Sequence, residues 1–176
     1  MIGQKITTSV ATIALLFAGA RLALATEVVP AALQPSAGYT VAFTAKATGV
    51  QIYTSKADGR AAPAWVFEAP LAELNGRRGV IHHYAGPTWE AVDGSKVARD
   101  TNTPVASAPA KQASRDIPWL LIKVVADPAP GVLDKVAYVQ RISTQGGVEP
   151  AKPPIRVGTK VGVPYTATYV FYTKSD

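Results

Sequence analysis

The chain has no cysteine. That excludes disulfides, thiol nucleophiles and thiolate metal sites, so stability must come from the core alone. Only two histidines occur in 176 residues, and they are adjacent, His82 and His83. Neighbours in a strand point to opposite faces, so the two are not expected to serve one site. Charge is also sparse, at 17% of residues, with a net of +6. The basic residues are scattered, with Arg77-Arg78 as the one adjacent pair. No basic stripe interleaved with aromatics is present, which argues against nucleic acid as a partner. There is no G-x-G-x-x-G after a strand and no G-x-S-x-G elbow, the marks of dinucleotide binding and of many serine hydrolases.

Long hydrophobic runs are confined to the start. Lys5 precedes an apolar, small-residue run over 6–20, and Ala23-Leu24-Ala25 fits the small-x-small cleavage rule. Residues 1–25 read as a secretory signal peptide cut near Ala25, which predicts an extracytoplasmic protein, periplasmic or secreted. No later run reaches the roughly 20 apolar residues of a membrane span, so the mature chain is expected to have none. Cleavage removes Lys5 and Arg21 and no acid, leaving a mild positive excess.

Helical periodicity is missing after residue 25; period-two alternation replaces it. Residues 26–38, with Pro30, Pro35 and Gly38, read as an extended leader. Residues 39–176 read as a single all-β domain. Strands are expected over 39–46, 50–55, 64–69 (ended by Pro70), 80–84, 88–92, 95–99, 117–125, 136–142 and 165–172. Asp93-Gly94 is a two-residue hairpin signal. The segment 100–116, rich in Ala, Pro, Ser and Thr, reads as a long exposed loop. Eight or nine short antiparallel strands between turn signals predict a β-sandwich or a flattened small barrel.

Chemistry concentrates in residues 82–95, HHYAGPTWEAVDGS. His83 and Glu90 are the candidate catalytic acid–base pair. With Asp93 they are also the candidate metal ligands, for zinc or copper, since sulfur is absent. One histidine with two carboxylates is a thin ligand set, and no cofactor is expected. The plainer alternative pairs His83 with Glu90 across strands to specify register. The candidate ligand-binding residues are Tyr84, Trp89, Asp93 and Arg141. Trp65, Trp89, Trp119, Tyr84 and Tyr169 are the aromatics available for a platform. Trp119 is expected in the core and Trp89 partly exposed. Arg141 reads either as an anion anchor or as a surface arginine covering apolar surface with its stem.

The order GVQIY, AWVFEAP, HYAGPTWEAVDGSKV, IPWLLI, VAYVQRISTQGG, VPYTATYVFY, from Gly49 to Tyr172, resembles the bacterial and fungal family catalogued as domain of unknown function 3455. The resemblance implies an exported single-domain protein and no established activity. It also implies a cysteine after QIY and another after GG. Here Ser55 stands at the first position and the segment 149–158 has none. The function expected is an exported binding or envelope-associated domain for an unknown small molecule or glycan, centred on 82–95. A metal-dependent or acid–base enzyme using His83 and Glu90, and a purely structural motif, are the alternatives.

Overall fold

Alternating β-branched, aromatic and polar residues make long strands here, and the strands close on themselves. The structure, a computed structural model, describes residues 27–59 and 61–175. The expected signal peptide lies outside the described residues. The strands are β1 (Tyr39–Lys56), β2 (Ala64–Gly76), β3 (Gly79–Tyr84), β4 (Thr88–Ala91), β5 (Lys96–Arg99), β6 (Ala106–Ala108), β7 (Trp119–Ala126), β8 (Val136–Gly146) and β9 (Lys160–Lys174). Their spatial order is β5-β4-β3-β2-β1-β9-β8-β7-β6, and β5 also pairs with β7. That last pairing, Val97↔Ala126 to Arg99↔Val124, closes an eight-stranded antiparallel barrel. β6 is the extra strand, joined to β7 beyond β5 through Ala106↔Leu121 and Ala108↔Trp119. Closure pairs the two ends of the sheet, while β2 keeps an unpaired edge before Ala72.

The inner face reads off the alternation. Ala45 and Ala47 of β1, Leu74 of β2, Ile81 of β3, Val97 of β5 and Phe171 of β9 pack one cluster. Phe43 stacks on Phe171 with ring centroids 4.5 Å apart. Gly49 lets β1 and β2 approach closely. A Cβ on Gly49 would run into Leu71 and Ala72. Shifts of register at Ile52/Tyr53 and at Ile142/Gln145 let the long strands coil round the barrel.

A second cluster lies on the outer face of β7 and β8. Leu33, Ala110, Trp119 and Leu121 form it, with Val29, Tyr138 and Ile142 against them. The leader is therefore not simply extended. It holds one 3₁₀ turn, Ala31–Leu33, and buries Leu33 completely. Gln140 fastens it by donating from Nε2 to the Leu33 carbonyl at 2.6 Å.

Three further expectations are corrected. The first two predicted strands are one, β1, because 47–49 continues the pairing with both neighbours. β2 runs through Pro70 to Gly76. β3 reaches only Ala72, so Pro70 lies where β2 has one neighbour and a missing N–H is tolerated. The segment 100–116 is mostly exposed, as expected, but it is not loop throughout. It contributes β6 and buries Ala110 and Asp116, whose carboxylate accepts from Gly146 N–H at 2.8 Å.

Candidate functional site

Trp89 of β4 sits directly opposite His83 of β3 in the ladder, both on the inner face. Their rings stack, with centroids 4.5 Å apart and planes 9° from parallel. Tyr169 of β9 meets His83 edge-on at 5.4 Å. All three rings are buried. His83 Nδ1–H donates to the Thr88 carbonyl at 2.8 Å, which leaves Nε2 as the acceptor of a neutral ring. Burial pushes the imidazole down to about 4, against the Thr88 carbonyl, which favours the charged form; the Arg141 cation adds to the lowering.

Beside these rings lies a cavity of about 610 Å³. Tyr53, Ile117, Leu120 and Ile122 supply apolar wall, and Trp65, Phe67 and Pro70 of β2 line it too. Phe67 is half-exposed there. The Trp65 indole N–H donates to the Lys152 carbonyl at 3.0 Å, tying the 148–159 segment to that part of the lining. Glu68, also on the lining, is occupied by Lys160 at 2.6 Å and by the Thr54 hydroxyl, which together hold its carboxyl below the usual range.

The buried polar groups on the wall are Gln51, His83 and Arg141, and exposed Glu149 lines it as well. Arg141 is 8% exposed. Its Nε and Nη2 donate to the Pro118 carbonyl at 3.2 and 2.9 Å. Among the described residues no carboxylate forms an ion pair with it. Gln51 Nε2 and Trp89 Nε1 are buried with no hydrogen-bond partner. Nearby tyrosines are satisfied: Tyr53 donates to the Gly147 carbonyl at 2.7 Å, and the Tyr165 and Tyr169 hydroxyls lie 3.3 Å apart. Burial raises the Tyr165 and Tyr169 phenols, so both stay neutral.

The candidates from the sequence are dispersed. His83 faces the cavity. Glu90 pairs in register with the outward His82 and accepts from the Tyr84 hydroxyl on the outer face. The acid–base pair His83–Glu90 is therefore not formed, because adjacent positions Trp89 and Glu90 must face opposite sides of the wall. Asp93 is elsewhere again. Its Oδ1 accepts from the Ser95 backbone N–H at 3.0 Å and from the Ser95 hydroxyl at 2.6 Å, and its Oδ2 from Val132 N–H at 2.8 Å. These bonds hold its carboxyl below the usual range and latch the β4–β5 turn to the β7–β8 connection. Among the described residues no three His, Asp or Glu side chains are grouped to hold a metal ion.

Of the four candidate ligand-binding residues, Trp89 and Arg141 line the cavity, while Tyr84 and Asp93 do not. Trp89, expected partly exposed, is 1% exposed, because the barrel closes over it. Arg141 is not a surface arginine, since its position in β8 alternates with the outward Gln140 and Ile142. Gln51, Tyr53 and Phe67 were not singled out in the sequence; their alternation showed which side of the strand they shared, but not that this side faced a cavity.

Fold and site together define a closed eight-stranded β-barrel with an aromatic and cationic cavity. Residues 75–173, more than half of the chain, match the family described as protein of unknown function (DUF3455), and the chain belongs to that family. The matched stretch holds His83, Trp89, Arg141 and Tyr169 but begins within β2, so Gln51 and Tyr53 precede it. No curated protein and no solved structure matches the chain.

Proposed function

We propose that this is an exported binding domain that takes one small, mainly apolar molecule into the cavity of its barrel. Export rests on the signal-peptide pattern of residues 1–25. Residues 39–176 are taken as one domain, with the preceding segment docked on its side. The carrying observation is the cavity itself. Its size is in the range of small-molecule sites, roughly 300–1,000 Å³, and a mainly aromatic and aliphatic lining with few polar groups is their usual character. A structural core would instead fill such a space, because interiors pack to crystal-like density. The site is thus centred on His83 and Trp89 of the 82–95 stretch, extended by Arg141 and by β1 and β2.

The neutral fluorophore N-phenyl-1-naphthylamine tests this. Saturable binding of one dye per chain is expected, with quenching of tryptophan emission. Leu120→Trp, which places bulk in the cavity from its wall, is expected to abolish binding while far-ultraviolet circular dichroism stays unchanged. Absence of saturable binding to the wild type, or full binding by a folded Leu120→Trp variant, would overturn the proposal.

A further inference from the structure

Arg141 is the one cation among the buried polar and charged side chains of the described residues, and it lies inside the barrel. A desolvated charge is normally paired, because burying it alone is strongly unfavourable. The two carboxylates on the cavity lining do not pair with it. Glu68 is engaged with Lys160, and exposed Glu149 forms no ion pair with Arg141. The guanidinium has five N–H donors, and its neighbours are neutral: the Pro118 carbonyl accepts from two of its nitrogens, and the Tyr169 hydroxyl lies beside it. Gln51 Nε2 and Trp89 Nε1, both on residues lining the same cavity, also lack acceptors. Two buried donors on the wall thus lack acceptors, and the Arg141 cation beside them lacks an anionic partner, while the carboxylates of the lining, Glu68 and Glu149, are exposed. A carboxylate accepts only, at up to about four lone-pair sites, and matches a guanidinium in the plane. The remaining wall, with Tyr53 and Phe67 ring edge to ring face at 5.9 Å, suits a flat apolar body.

Resting on the cavity-binding reading, we infer that the occupant is a small aromatic carboxylic acid, bound as its anion with the carboxylate on Arg141 and the ring towards Tyr53 and Phe67.

A matched pair of competitors tests this on the wild-type protein. 1-Naphthoate and 1-naphthamide share one ring system and differ in charge. Each is titrated against bound N-phenyl-1-naphthylamine. Naphthoate is expected to displace the dye at a concentration about tenfold lower, the scale of one charge-assisted hydrogen-bonded pair. In Arg141→Gln the two competitors are expected to converge, and Arg141→Lys, which keeps the charge without the fork, is expected to fall between. Equal displacement by the two in the wild type, or preference for the amide, would overturn the inference and leave cavity binding standing. An Arg141→Gln variant that binds dye and keeps the preference would overturn it equally. Failure of the neutral dye to bind the wild type would overturn the cavity reading and this inference together. Should Arg141→Gln not fold, the wild-type comparison decides.

Discussion

Two serines show how the same side chain, equally buried, has opposite consequences. Ser55 and Ser95 are both fully buried. The Ser55 hydroxyl has no partner, although its backbone bonds Gly158 and Thr159. The Ser95 hydroxyl donates to Asp93 and accepts from Leu133 N–H at 3.1 Å. Removing an unpartnered buried hydroxyl removes only a desolvation cost, whereas removing a paired one strands its partners at about 1–3 kcal/mol. Ser55→Ala is therefore expected to leave stability unchanged or raise it, and Ser95→Ala to lower it by about 1–3 kcal/mol. Urea unfolding of both variants checks this, and a loss in Ser55→Ala comparable to that in Ser95→Ala would contradict it. The resemblance implied cysteines at position 55 and in the segment after Gly147. The backbone bonds of Ser55 to Gly158 and Thr159 put those two regions side by side.

At the scale of elements, the segment before β1 acts as a brace. Leu33 is fully buried against Trp119 and Leu121, on the outer face of the barrel. Leu33→Ala is expected to destabilise by about 2–5 kcal/mol, the usual range for a buried leucine truncated to alanine. Dye binding is expected to be unaffected in the folded variant, because the cluster lies on the far side of the wall from the cavity. Denaturant unfolding and dye titration of the same sample check both halves. Much of this level was legible. The strands at 80–84, 88–92, 95–99 and 117–125 correspond to β3, β4, β5 and β7, because turn signals bound them and their alternation is strong. Proline misled at residue 70, since tolerance of a missing N–H depends on whether a neighbour lies alongside. The docking of Leu33 was not legible either: a three-residue apolar turn has no period, and its partners come from β7 and the segment near Ala110.

At the scale of the molecule, burial of His83 couples stability to pH. The folded imidazole is lowered from 6.5 to about 4, so the unfolded chain binds the proton first as pH falls. Stability contributed by the neutral ring is present above pH 6.5 and is lost as pH drops towards about 4. The loss expected between neutrality and the lower limit is about 3 kcal/mol. His83→Phe keeps a flat ring over Trp89 and removes the titration. The stability difference between wild type and variant is expected to shrink or reverse in that window. The lowered carboxyls of Asp93, Asp100 and Asp116 act from near pH 3.8 downwards, below most of it. A wild-type-minus-variant difference that stays constant with pH, measured by urea unfolding in matched buffers, would show that His83 is not buried as a neutral ring.

Local pattern by itself determined the all-β class, the approximate strands and the opposite faces of His82 and His83. Side-chain period and turn chemistry are properties of neighbouring residues and need no tertiary partner. It also carried the family resemblance, from motifs such as HYAGPTWE and QRISTQGG. Tertiary structure alone decided between sandwich and barrel, because closure depends on β5 reaching β7 rather than on either strand. It decided that Glu90 and Asp93 leave His83, and that Arg141 and Tyr169 join it. Those contacts are set by register between strands distant in sequence, and a one-residue slip would turn each side chain to the other face of the wall.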